Sequence, residues 1–224
     1  MVRVYLDATE VYVPDWVIDL ESFRRWSDDD SFPEVGHISF LRGEVRVDMS
    51  KEQLFTHNDV KSEFALVLRG LAKARRLGRY FGDGAYVSSV EADVSNQPDG
   101  CFVSSASLAD GRVRIVEGAT QGHVELEGSL DMVLEVVSTS SVQKDTVTLR
   151  RAYADAGVRE YWLVDARAEP IRFDLLRWTE RGYVATRRQG GRVWSEVFQH
   201  SFRLIQSTGE DGYPEFTLES SATR

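Results

Sequence analysis

Two carboxylates carry most of the chemistry legible in this 224-residue chain. Glu135 interrupts the run Asp131-Met-Val-Leu-Glu-Val-Val-Ser138, whose apolar residues suit a strand buried on both faces. An ionised, unpaired carboxylate there costs several kcal/mol, so a metal ion, a basic partner or a proton must offset it. Arg150 and Arg151, in the segment that follows, are candidates for a buried ion pair. Asp99 follows Pro98 at the start of the run 97–103. If that run lies beside 131–138, the two carboxylates meet, and they repel unless a divalent cation holds them. Such a cation activates water and neutralises a phosphate, which is the core of phosphodiester hydrolysis. The plainer reading of Asp99 is a turn residue after proline.

The rest of the composition narrows the donor set. Cys101 is the single cysteine, so there is no intrachain disulfide and no cysteine-based zinc site; its plain role is that of a small buried hydrophobe. The four histidines, at 37, 57, 123 and 200, show no helical ligand pair. Carboxylates and carbonyls therefore suit a hard ion, Mg2+ or Mn2+. A net charge of -9 argues against a protein that coats nucleic acid non-specifically, but not against one with a local basic face. Arg69, Lys73, Arg75, Arg76 and Arg79 could form such a face or simply a solvated helix. No apolar run reaches the roughly 20 residues of a membrane helix, and the first residues lack a signal-peptide pattern, so a soluble cytoplasmic protein is expected.

The elements that must position these residues follow from periodicity. A short helix is expected around 20–26, then a hairpin over 37–49 turning at Arg42-Gly43. Val60, Phe64, Val67, Leu68 and Leu71 recur at helical spacing, with Thr56 as cap, Leu77 at the end and Gly78 as stop. Strands follow around 80–94 and 97–103, and the polar, glycine-rich stretch 104–128 reads as loop. A second helix, 144–156, links the strands at 131–138 and 161–165, a crossover that demands parallel pairing in a mixed sheet. Residues 170–206 alternate as an antiparallel meander, and the tail after Ser207 reads as loose.

Several of these residues form a recognisable set: Pro98-Asp99, Leu134-Glu135-Val136-Val137-Ser138, Asp145, Tyr153, Gly157-Val158 and Glu160-Tyr-Trp-Leu-Val-Asp165. The set resembles the Uma-type restriction endonuclease family of the PD-(D/E)XK nuclease superfamily. Flanking pieces extend the resemblance over about residues 35–206: Arg42-Gly43-Glu44-Val45, His57, and Ser195-Glu196-Val197-Phe198 with Phe202-Arg203-Leu204. It implies an α/β, restriction-endonuclease-like mixed sheet flanked by helices. The expected organisation is an N-terminal arm at 1–35, a nuclease-like domain at 36–206 with the meander at its C-terminal end, and a loose tail at 207–224.

The resemblance also implies roles. Asp99, Glu135 and the Val136 carbonyl would ligate Mg2+ or Mn2+, and DNA would be the substrate, with a homodimer as a common way to cut both strands. The family's lysine four residues after the aspartate is here Leu149, which can neither orient water nor stabilise phosphate charge. Lys144 is the chosen substitute, with Arg150 and Arg151 as weaker ones because arginine is too basic to act as a base. His57, Glu63 and Glu44 match positions that could approach the metal or serve only capping, packing or solvent-facing roles. The leading reading is a metal-dependent endonuclease. The alternative is a catalytically impaired nuclease-fold protein acting as a nucleic-acid-binding or interaction module, and a third is a structural carboxylate pair in an unrelated α/β domain.

Overall fold

The chain folds into three sheets. In chain order the elements are α1 (Leu20–Ser27), β1 (His37–Leu41), β2 (Glu44–Asp48), α2 (Val60–Ala74), β3 (Gly78–Gly82), β4 (Tyr86–Ser89), β5 (Val94–Asn96) and β6 (Gly100–Ser104). Then come α3 (Ser105–Ala109), β7 (Val113–Glu117), β8 (His123–Gly128), β9 (Met132–Val136), α4 (Arg150–Asp155), β10 (Glu160–Asp165), β11 (Arg172–Arg177) and β12 (Val184–Ala185). The chain ends in β13 (Arg188–Gln189), β14 (Arg192–Ser195), β15 (His200–Thr208) and β16 (Pro214–Ser221). π-helical turns, Leu54–Asp59 and Lys144–Leu149, lead into α2 and α4. This computed structural model describes residues 11–34, 36–119, 122–167 and 169–223, so the first ten residues of the expected arm lie outside it.

The central sheet runs β12-β11-β10-β9-β6-β3. It is mixed, as the crossover demands: β9 and β10 pair in parallel, and the remaining neighbours are antiparallel. Successive side chains alternate between its two faces, and both faces are buried. Leu134, Val136, Trp162 and Val164 pack with Phe64 and Leu68 of α2 and with Phe198 and Phe202. Val133, Val137, Tyr161 and Leu163 pack with Leu149, Ala152 and Tyr153, and with Val87 and Val94 of the first sheet. That first sheet, β2-β1-β5-β4-β8-β7, carries α1 through Phe23 and Trp26 on Ile38 and Phe40.

Four local expectations change. The described part of the segment 104–128 is not loop: Ser104 caps α3, and β7 and β8 pair antiparallel and join the first sheet through β4. Its strands are charged, so apolar periodicity hides them; Arg24 and Arg114 hold Glu127 from two sides, and Arg24 reaches Glu125 at 2.7 Å. Gln53, not Thr56, caps the entry to the first long helix, its side chain accepting from the Thr56 N–H. That helix stops at Ala74, before Leu77, because Arg76 adopts a left-handed conformation (φ 55°) and the Leu77 N–H turns back to the Ala72 carbonyl. The tail, finally, is not loose. β16 pairs with β15 from Ser221 to Pro214, the Leu218 N–H donates to Glu63 Oε1 at 2.8 Å, and Phe216 and Leu218 enter the core.

The tail therefore has a measurable energetic role. Phe216→Ala is expected to lower unfolding free energy by about 3 kcal/mol, the usual cost of emptying a buried phenylalanine site. Urea denaturation checks it, and a change near zero would return the tail to its loose reading.

Candidate metal centre

Asp99 and Glu135 do meet, and the register of the sheet explains how. Gly100 pairs with Leu134 in the antiparallel β6–β9 ladder, so one step further Asp99 lies opposite Glu135. The Val136 N–H donates to Asp99 Oδ2 at 2.6 Å, which fixes the aspartate at the end of β9. Asn96 Nδ2 and the Tyr153 hydroxyl both donate to Glu135 Oε1, at 3.1 and 3.0 Å. Glu135 is thus held by neutral donors rather than by the ion pair with Arg150 or Arg151, both of which are exposed. Its Oε2 receives no hydrogen bond among the described residues.

A small cleft of about 40 Å³ opens on this pair, lined by His57, Asp99, Glu135, Val136, Lys144 and Asp145 among others. That is space for an ion or for a water or two. Lys144, from the first position of the second π-helical turn, brings its ammonium to 3.6 Å from Asp145 Oδ1. Asp145 is buried; its Oδ2 accepts from Ser141, and its Oδ1 has no hydrogen bond among the described residues.

The electrostatics are those of excess negative charge in a dry place. Burial pushes the Glu135 carboxyl well above its ordinary value; Lys144 opposes this, and Asp145 and Asp99 add to it. Burial likewise raises Asp99 against the pull of His57 and Lys61, and raises Asp145 to about 6. Burial alone would lower Lys144, but the carboxylates of Glu135, Asp145 and Asp99 more than reverse it, so the ammonium is firmly charged. Hard oxygen donors, crowded carboxylates and a buried Asp145 oxygen that no hydrogen bond among the described residues satisfies fit a divalent Mg2+-like cation.

The other sequence candidates divide. His57 is in the site: its Nε2 lies 3.7 Å from Asp99 Oδ2. Glu63 is not, since its carboxylate serves the β16 backbone. Glu44 is exposed and pairs with Arg46 at the hairpin end. Leu149 is fully buried beside Val133 and Tyr153, an ordinary core residue. Cys101 is also buried. The basic run from Arg69 to Arg79 is exposed, but it begins two turns beyond the site end of α2 and extends away from it.

Lys61, Glu52 and Asp83 escaped the sequence reading. Lys61 Nζ bonds Glu52 Oε1 at 2.6 Å and Asp83 Oδ2 at 2.8 Å, and lies 3.6 Å from Asp99 Oδ1. One signal was available: Lys61, Phe64 and Leu68 share the i, i+3, i+7 stripe that faces the core. Glu52 and Asp83 sit outside helices and strands, with no periodicity to mark them.

The family model Uma2, described as "Putative restriction endonuclease", matches residues 20–206. The chain belongs to this family. Among solved structures, this Uma2-family chain is similar to one described as a "putative nuclease belonging to DUF820" from Anabaena variabilis ATCC 29413. The TM-score is 0.60 at 17% identity, over 81% of this chain and 90% of the other. That likeness shows the fold, a mixed α/β arrangement. No curated protein matches the sequence. No helix among the described residues of the Uma2-family chain is long and apolar enough to cross a membrane.

Proposed function

We propose that this chain is a Mg2+- or Mn2+-dependent endonuclease that hydrolyses DNA phosphodiester bonds at the Asp99–Glu135 centre. The observation that carries the reading is the juxtaposition of these two carboxylates, opposite each other across β6 and β9 and tied by the Val136 N–H to Asp99. Asp99, Glu135 and the Val136 carbonyl would hold the cation, which would supply water activation and charge to offset the phosphate. Asn96 and Tyr153 orient Glu135 through its Oε1. Lys144 takes the place of the family lysine lost at Leu149: its ammonium lies 3.6 Å from Asp145 Oδ1 in the cleft that Asp99 and Glu135 also line, where it can balance the charge of an incoming phosphate. A groove of about 420 Å³ that shares His37, Asp48, Gln97, Ser141 and Lys144 with the cleft continues past Arg46 and offers a path for the strand. A two-fold dimer is the arrangement proposed for cutting both strands.

Nicking of supercoiled plasmid by the purified chain is expected in Mg2+ or Mn2+ and not in EDTA. Asp99→Ala abolishes it. Lys144→Met lowers the rate about 10²–10³-fold, the usual effect of losing one group that stabilises developing charge. A wild-type chain inert on every DNA in both metals overturns the catalytic reading. Full activity in Lys144→Met removes that residue from it.

A further inference from the structure

Beside the Asp99–Glu135 centre lies a second group of potential ligands. His37, Glu52 and Asp83 each offer an atom, all within 4.8 Å of one another. Asp99 turns its Oδ1 toward the same place. Two carboxylates and an imidazole, with a third carboxylate adjoining, suit a hard or borderline divalent ion. The place is already taken by a positive charge: Lys61, only 6% exposed, enters from α2 and bonds both Glu52 and Asp83. His57 supplies an independent sign that this is a ligand environment rather than a closed ion pair. Its side chain is nine-tenths buried, its Nδ1 has no hydrogen-bond partner among the described residues, and that nitrogen is aimed at Glu52 Oε2 from 3.7 Å, too far for a hydrogen bond. The imidazole spans from Glu52 to Asp99, joining the two groups while bonding neither.

We infer that Glu52, Asp83 and His37 form a second divalent-cation site that the chain fills with its own Lys61 ammonium. The consequence, resting on the metal reading proposed above, is a centre of two cations of which only one is exogenous. Lys61 stands beside Asp99 where a second ion would stand, and it keeps that ion out by occupying the ligands directly. A tethered ammonium needs no coordination shell and loses no translational freedom on binding, so a free ion competes poorly with it. Removing the amine leaves carboxylates in close company with no counter-charge, and a divalent ion then becomes the favoured replacement.

The test is a count of bound Mn2+ per chain by electron paramagnetic resonance and titration calorimetry. Wild type is expected to bind one ion and Lys61→Met two. Lys61→Arg, which keeps the charge, stays at one, and the pair Lys61→Met with Asp83→Asn returns to one. A folded Lys61→Met that binds no more Mn2+ than wild type overturns the inference. If wild type binds none while Lys61→Met binds one, the Asp99–Glu135 metal reading fails and the Lys61 inference stands. Should Lys61→Met not fold in EDTA, recovery of its circular dichroism on adding Mn2+ supports the site, and absence of recovery refutes it.

Discussion

Glu135→Gln is expected to cut divalent-dependent cleavage by about 10³-fold or more while leaving the metal-free fold at least as stable as wild type at neutral pH. The two halves of this result have one cause. Glutamine keeps a carbonyl oxygen for Asn96 and Tyr153, so the orienting hydrogen bonds survive. It loses the negative charge that would hold the cation. In the folded wild type, burial raises the Glu135 carboxyl well above its unfolded value of 4.5. A group raised in this way favours the fold most at pH below its unfolded value, and that contribution is lost as pH climbs through the folded value. At pH 7.5 without metal, wild type therefore carries a penalty that glutamine does not. Thermal unfolding in EDTA should show the variant melting at or above wild type at pH 7.5, with the advantage shrinking toward pH 4.5. A variant that melts clearly lower at pH 7.5 would mean that Glu135 is a structural anchor. Such a site would exchange stability for charge placed where chemistry needs it.

The second large effect is expected far from catalysis. Glu160→Ala should cost roughly 4 kcal/mol of stability, because it strands several buried donors at once. Glu160 accepts from Trp162 Nε1 at 3.0 Å, Ser195 Oγ at 2.7 Å, and the backbone N–H groups of Glu196 and Val197 at 2.7 and 3.1 Å. Burial pushes its carboxyl up, and these four donors push back. One side chain thereby fastens the start of β10 to the turn between β14 and β15. Glu160 pairs with Met132, three positions from the Leu163–Glu135 pair, so roughly 10 Å of strand separates it from the metal centre. Urea midpoints should fall sharply for alanine and only partly for glutamine, while Mn2+ affinity of the folded variant stays near wild type. Loss of Mn2+ affinity from a variant that remains folded would place Glu160 in the site instead.

Glu160 also shows why a family pattern and a functional site are different things. The run Glu160-Tyr-Trp-Leu-Val-Asp165 is the most specific part of the resemblance, yet its glutamate is a buried clamp and its tryptophan fills the core between Phe64, Phe173, Phe198 and Phe202. The less distinctive Asp99 and Glu135 are the ones among the cleft's carboxylates that meet across β6 and β9. Leu149 is similar in reverse. The family resemblance marks it as a missing lysine, while its surroundings make it a well-packed apolar residue whose charge-bearing duty falls, in the function proposed, to Lys144.

What the sequence alone determined is whatever a local pattern encodes. An apolar strand broken by one glutamate marks Glu135, and a helix between two apolar strands points to their parallel pairing, because parallel neighbours need a crossover of that length. What only the tertiary structure decided depends on which distant segments become neighbours. The charged hairpin at 113–128 and the strand at 214–221 gain their structure from partners across the sheet, so they leave little trace in their own periodicity. Lys61, Glu52 and Asp83 are drawn from a helix and two irregular segments, and ion pairing between such pieces has no sequence period at all. Asp99 and Glu135 stand between these cases: the residue types were legible in the chain, and their meeting was decided by the register of β6 on β9.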